Sequence, residues 1–181
     1  MSAILALALA VPAQAQDTDD KPDKEMKVLL TGRGTGGYGG PEFGVGLVGG
    51  RIATRLGGRA GWVATRSFVI GAFGEGISST TGAGEPIRIV DGGVFLEGIV
   101  APYQAVHASL EGGVGVGSVS WAGQGSVGVV PYAAVRLDLN VVTWFRASVG
   151  PSVRGIVSSA VPTGTSRLSG GLDVVLKFGS F

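Results

Sequence analysis

The sequence predicts an all-β protein: an eight-stranded antiparallel up-and-down transmembrane β-barrel with a charged, side-chain-filled lumen. Three observations support this fold class. The chain opens with the features of an export signal, eight segments after residue 41 alternate between apolar and polar side chains, and the charges gather on one strand face. Alternation with a period of two is the signature of a strand whose two faces meet different surroundings.

The first 15 residues predict a secretory signal peptide. Residues 3–11 form a short apolar run, and Ala13 and Ala15 occupy the small positions of an A-x-A cleavage site. The run is too short to cross a membrane as a helix. We therefore expect cleavage before Gln16 and export toward a bacterial outer membrane.

Residues 16–40 predict a flexible leader, charged at first and then rich in glycine, and residues 41–181 predict the barrel. Gly34, Gly36 and Gly39 have the G-x-G-x-x-G spacing of a dinucleotide loop. No strand–loop–helix pattern surrounds them, and that context is what a nucleotide site requires. A glycine segment entering a strand is the better interpretation.

The composition excludes several classes of function. The formal charge of +1 gives no reason to expect a nucleic-acid partner. Cysteine is absent and His107 is the one histidine, so we expect no disulfide, no metal site and no cofactor. With 34 glycines and only 15% charged residues, the chain does not resemble a soluble helical domain.

Eight segments carry the alternation. In the segment 127–141, Val135, Leu137 and Leu139 share one face, while Arg136 and Asp138 lie on the other. The predicted strands are Glu42–Val48, Arg51–Ala64, Phe68–Ser78, Ile87–Ala101, Val106–Ser120, Val127–Val141, a seventh that includes Phe145–Arg154 and an eighth that includes Arg167–Phe178.

The charges on the polar face nearly balance, eight positive against seven negative. A water-facing surface has no need of such pairing, but an enclosed lumen does, because unpaired buried charge is costly. An eight-stranded barrel is just wide enough to be filled by side chains. The predicted lumen network contains Arg51, Arg55, Arg59, Glu75, Asp91, Glu97, Glu111, Arg136, Asp138, Arg146, Arg154, Asp173 and Lys177, with Glu42 and Arg167 on the same face.

Turn lengths predict the orientation. Connections at 65–67, 101–105 and 142–144 are short, and those at 79–86, 122–126 and 158–166 are mostly longer, with Gly49–Gly50 as a short exception. This is typical of outer-membrane barrels with both termini in the periplasm. Aromatic residues at that end predict one girdle, formed by Phe43, Trp62, Phe68, Tyr103, Phe145 and Phe178.

The final strand, GLDVVLKFGSF, resembles the C-terminal signal by which outer-membrane barrels are recognised for assembly, with Phe181 as its terminal aromatic. Phe181 departs from a strict signal because it is out of phase with Leu176 and Phe178. The segments GGYGGPEFG, GGRAGW and SFVIGAFGEG are similar to those of uncharacterised small exported barrel proteins of double-membraned bacteria. The resemblance implies an OmpA/OmpX-type architecture, contact with outer-membrane lipid and with the barrel assembly machinery, and no particular activity.

Two residue groups suggest chemistry. His107, Ser109 and Glu111 share one face and use the residue types of a hydrolase, but neighbours two apart on a strand face are separated by about 7 Å, which is long for a Ser–His hydrogen bond. The row Arg51, Arg55, Arg59 has the charge to bind an anion; pairing with lumen acids such as Glu75 and Glu97 is the simpler expectation.

The sequence therefore predicts a monomeric, non-enzymatic outer-membrane barrel with a structural or surface-interaction role. Three alternatives stay open: a narrow pore for small solutes, a lipid-modifying hydrolase, and a secreted lipocalin-like binding barrel. The last would place the aliphatic set inside and the charges outside.

Overall fold

The computed structural model describes residues 35–81, 83–121, 123–157 and 168–181, and these form a closed barrel of eight strands. Each strand pairs antiparallel with the next, and β1 pairs with β8 to close the ring. The strands are β1 (Gly36–Val48), β2 (Arg51–Thr65), β3 (Phe68–Thr80), β4 (Pro86–Val100), β5 (Val106–Trp121), β6 (Gln124–Val142), β7 (Phe145–Gly155) and β8 (Leu168–Gly179). The predicted fold class is confirmed, and no helix in this part of the chain is long and apolar enough to cross a membrane.

The N-terminal boundary differs from the prediction. Strand β1 begins at Gly36, so residues 36–40 belong to the barrel and not to the leader. Their backbone pairs with both β2 and β8, for example Gly39 with Ala60 and with Phe178. The glycine content of this segment concealed its strand character. The predicted signal peptide, residues 1–15, and residues 16–34 of the predicted leader lie outside the described residues.

The turns at the two ends of the barrel are more alike than the sequence suggested. The end that carries the termini has connections at 66–67, 101–105 and 143–144, and the opposite end has connections at 49–50, 81–85, 122–123 and 156–167. The β5–β6 connection is short because the ladder continues to the pair Trp121–Gln124. Only the β7–β8 connection is long. The hairpin at Gly49–Gly50 pairs Val48 with Arg51 as predicted, and both glycines have positive φ, as this tight turn requires.

Side chains point alternately into the barrel and away from it, and the two sets differ in chemistry. Large aliphatic residues such as Ile52, Leu56, Val116 and Leu137 are exposed on the outside. Charged residues such as Arg136 are buried inside. The polarity is the reverse of that in a soluble barrel.

Strands β1 and β8 approach so closely at Gly40 that only glycine fits at this position. A Cβ added there would lie 1.7 Å from the carbonyl oxygen of Leu176, which belongs to the backbone of β8 and cannot move independently. Any side chain at this position forces the two strands apart.

We therefore expect Gly40→Ala to lower the free energy of unfolding by about 1–3 kcal/mol, the usual cost of overpacking. Urea unfolding in detergent micelles measures it. Gly112→Ala is the matched control, because a Cβ at Gly112 meets nothing within 4 Å. Equal stability of the two variants would contradict the close approach.

Candidate functional site

The lumen is the candidate functional site, and its centre is a cluster of two arginines and two glutamates from four strands. Arg59 donates to Glu42 from Nη2 and Nε, at 2.6 and 3.1 Å, and to Glu111 from Nη1 at 2.5 Å. Arg136 donates to Glu111 and, at 3.2 Å, to Glu42. The Tyr132 hydroxyl also donates to Glu111. Every charge in this cluster meets an opposite charge, which is the condition for burying it.

A second cluster lies nearer the end of the barrel that carries the termini. Lys177 donates from Nζ to Glu97 at 2.6 Å and to Asp138 at 2.9 Å. Tyr38 donates to Glu97 at 3.1 Å, and Ser109 donates to Asp138 at 2.6 Å. The buried lysine thus joins β8 to β4 and β6 across the lumen.

Two further arginines extend the network toward the opposite end. Arg55 donates from Nη1 to Asp173 at 3.0 Å and to Ser152 at 2.6 Å. Arg154 lies 2.8 Å from Glu75 through Nη2, and 3.8 Å from Asp91 through Nη1. Its guanidinium also lies over the ring of Tyr132 at 4.9 Å and that of Phe73 at 5.4 Å.

Most predicted lumen residues are buried, but two differ. Arg51 is exposed at the rim, because it is the first residue of β2 and follows directly after the Gly49–Gly50 turn. Arg146 is half-buried, and its guanidinium lies 3.9 Å from the ring centroid of Phe181. Arg167 falls outside the described residues.

Arg55 and Arg59 pair with lumen acids, as expected, but not with Glu75 or Glu97, the two examples that the sequence analysis named. Arg55 and Arg59 pair with Asp173, Glu42 and Glu111, while Glu75 pairs with Arg154 and Glu97 with Lys177. Alternation assigns each charge to the lumen, but it does not state which strands face each other across it.

Apolar side chains also face the lumen, where they pack in two clusters beside the charges. Toward the long β7–β8 connection, an inward aliphatic layer contains Val48, Ala53, Ile77, Ile87, Ile89 and Val119, with Trp121 and Ile156 packed against it. Toward the termini, a second layer contains Tyr38, Val63, Val69, Phe73, Phe95, Ile99 and Tyr132, with Phe181 packed against it. The sequence signal was present in Val69, Phe73 and Ile77, which share the polar face of β3.

The predicted aromatic girdle loses one residue and gains another. Phe43 lies well inside β1, paired with Leu56 and Val174, because the strand begins at Gly36 and not at Glu42. Trp144 was counted as a turn residue, yet it is exposed and stacks 6.3 Å from Phe178. The belt at the end of the termini therefore consists of Trp62, Phe68, Tyr103, Trp144, Phe145 and Phe178.

The C-terminal aromatic turns toward the lumen. Phe181 stacks on Tyr38 with ring centroids 5.8 Å apart and packs against the inward apolar layer. This placement explains why Phe181 is out of phase with Phe178, whose side chain faces outward. Phe178 has the outward position expected of a terminal aromatic in an assembly signal.

The structure does not bring His107, Ser109 and Glu111 together as a hydrolase site. The Ser109 hydroxyl donates to Asp138, and Glu111 accepts from Tyr132, Arg59 and Arg136. His107 lies with Nδ1 at 3.4 Å from the carbonyl oxygen of Gln104. Ser109 therefore has a carboxylate partner and not the histidine that the sequence suggested.

Comparison with solved structures shows the same fold. Neisserial surface protein A (NspA) superposes with a TM-score of 0.62 at 11% identity, covering 82% of this chain and 98% of that one. The N-terminal barrel domain of Pseudomonas aeruginosa OprF gives a TM-score of 0.48 at 10% identity, covering 82% and 100%. No family model matches the sequence, and no curated protein matches it either. The architecture is thus that of the small eight-stranded outer-membrane barrels, as the sequence resemblance implied.

The lysine cluster predicts a large stability effect. Lys177→Met leaves Glu97 and Asp138 buried without their shared cation, and breaking a buried pair costs about 3–5 kcal/mol. We expect a loss of that size in urea unfolding. The exposed Arg66 provides the control, since Arg66→Gln should change stability by less than about 0.5 kcal/mol. Unchanged stability of Lys177→Met would mean that the cluster is solvated.

Proposed function

We propose that the protein is a non-enzymatic integral outer-membrane barrel that acts as a structural element and presents its outer connections for surface contacts. The observation that carries this proposal is the distribution of side chains, with charges paired inside and aliphatic residues exposed outside. Such an exterior is unfavourable in water and favourable in lipid. A lipocalin-like binding barrel needs the opposite arrangement.

The height of the apolar exterior supports a transmembrane position. On β4 the outward side chains run from Val90 to Val100, and Arg88 follows next beyond Val90. Ten residues at about 3.3 Å each, tilted by about 40°, span about 25 Å, which matches the apolar band of outer-membrane barrels. The aromatic belt lies at the other limit of the band, where Trp and Tyr favour the membrane interface.

Lipid and the assembly machinery are the partners that this proposal requires. A groove of about 400 Å³ on the outside, lined by Gly37, Gly39 and Ala60 between Trp62 and Phe178, offers space for an acyl chain. The outward ring of Phe178 supports recognition of the last strand by the machinery. The closed hydrogen-bonded ring leaves no strand edge for pairing with a second copy, which supports a monomer.

The closed lumen argues against the pore alternative. Paired charges and apolar side chains fill it together, and the paired charges are buried. We expect the purified protein to give no conductance steps in planar bilayers, under conditions in which a general porin does. Regular steps of reproducible size would favour the narrow pore and overturn the structural role.

The topology can be tested without background labelling because the chain has no cysteine. Ala83 is exposed in the β3–β4 connection, at the end opposite the termini, and Gln104 is exposed in the β4–β5 connection at the end of the termini. We expect a membrane-impermeant maleimide to label Ala83→Cys on intact cells, and Gln104→Cys only after the outer membrane is permeabilised. The reverse pattern would invert the orientation, and labelling of both variants in a soluble fraction would remove the protein from the membrane.

The hydrolase alternative has a direct control. We expect no release of fatty acid from outer-membrane lipid by the purified barrel, and no difference between the native protein and Ser109→Ala. Activity that is lost in Ser109→Ala would show catalysis and contradict the proposal.

A further inference from the structure

The buried charges of the lumen do not cancel. Among the residues that the structure describes, seven carboxylates are buried, Glu42, Glu75, Asp91, Glu97, Glu111, Asp138 and Asp173. The buried cations are five, Arg55, Arg59, Arg136, Arg154 and Lys177, with the half-buried Arg146 as a sixth. These buried and half-buried groups of the described residues therefore carry an excess of one negative charge when every one of them is ionised.

The excess is localised at Glu75 and Asp91. These residues are directly opposite each other on β3 and β4, both face inward, and each is only 5% exposed. Like charges at opposed positions of neighbouring strands repel each other. The next residues in the same row are Gly57 on β2 and Gly117 on β5, so neither adjacent strand supplies a side chain that could compensate them.

The guanidinium of Arg154 lies near both Glu75 and Asp91, but it also lies near a third carboxylate, that of Glu42. Arg154 lies 2.8 Å from Glu75, 3.8 Å from Asp91 and 3.8 Å from Glu42. Two other charged groups interact electrostatically with Glu75 and Asp91. Arg55 already forms an ion pair with Asp173, and Glu42 is a third carboxylate that repels both.

Several buried polar atoms at the pair have no hydrogen-bond partner in the described part of the chain. Both carboxylate oxygens of Glu75, Oδ1 of Asp91 and all three guanidinium nitrogens of Arg154 are in this state, because the 2.8 Å ion pair between Arg154 and Glu75 lacks the angle of a hydrogen bond. Buried polar atoms are normally satisfied by protein or by ordered water. Six such atoms belong to these three residues, so the hydrogen bonding of this group is incomplete within the described part of the chain.

We propose that Glu75, Asp91 and Arg154 form an internal site that takes up one small monovalent cation, a proton or an alkali-metal ion, together with water. One positive charge is what the count requires. A proton shared by two carboxyl groups and an alkali ion held by two carboxylates supply the same charge. The described residues include no group of three or more acidic, histidine or cysteine ligands, so a transition-metal site is not indicated.

The first test is the stability of the native barrel as a function of pH and of salt type. If the site holds a proton that the unfolded chain releases, the folded state binds more protons, and stability falls as pH rises. We expect the folding equilibrium constant to decrease by up to tenfold per pH unit between about pH 5 and 9, above the range in which carboxyl groups of unfolded chains titrate.

If the site holds an alkali ion, sodium or potassium chloride should stabilise the barrel more than choline chloride at equal ionic strength. Either dependence must disappear in Glu75→Gln, and also in Asp91→Asn, which guards against a folding defect in one variant. A native barrel that responds neither to pH in this range nor to the type of cation would overturn the proposal.

Matched carboxylate variants give a second, independent readout. Glu75→Gln removes the excess charge, so its unfolding midpoint in urea at pH 8 should equal or exceed that of the native protein. Glu97→Gln removes a paired charge from Lys177 and should lower the midpoint clearly. The double variant Glu75→Gln/Asp91→Asn should be less stable than either single variant, because Arg154 then keeps only Glu42, at 3.8 Å, as a charged partner. A lower midpoint in Glu75→Gln, equal to that of Glu97→Gln, would show that Glu75 is fully compensated and contradict the site.

Discussion

Pairing of buried charge inside a narrow barrel is the constraint on which the rest of the structure depends. The lumen of an eight-stranded barrel admits side chains and little else. A guanidinium placed there is stable only if carboxylates meet it in the correct geometry. The four contacts that join Arg59 and Arg136 to Glu42 and Glu111 meet this condition at the centre of the lumen. Because these residues come from β1, β2, β5 and β6, their pairing fixes strands that lie far apart in the sheet.

Glycine residues provide the space that the buried charged side chains need. Long arginines from one wall need space on the facing wall, and inward glycines provide it. Gly57 and Gly117 flank the Glu75–Asp91 pair, and Gly40 lets β1 approach β8 where the barrel closes. The inward glycines thus reflect the volume of the charged residues that the lumen encloses. Because the paired side chains are buried, they are separated from bulk water, which strengthens each ion pair.

Much of this arrangement could be predicted from the sequence, because alternation fixes the face of each residue. Arg136 and Asp138 oppose Val135 and Leu137 in the sequence, and they oppose them in the structure. Alternation could not predict which acid pairs with which base across the lumen. Arg154 on β7 meets Glu75 on β3 across the lumen, and that distance depends on strand tilt and curvature. Strand limits were also unreliable where glycine removed the pattern, as in Gly36–Gly40, and this error misplaced Phe43 in the girdle.

The central claim is that β6 presents its aliphatic face to lipid and its other face to a closed, charged interior. Spin labels on single cysteines at Leu137, Leu139 and Ala134 test it most directly in reconstituted vesicles, since the first two side chains are exposed and Ala134 is 3% exposed. We expect lipid-dissolved oxygen to relax the labels at 137 and 139 strongly, while a water-soluble nickel reagent reaches none of the three. Strong relaxation of 137 and 139 by the nickel reagent would place the aliphatic face in water and contradict the account.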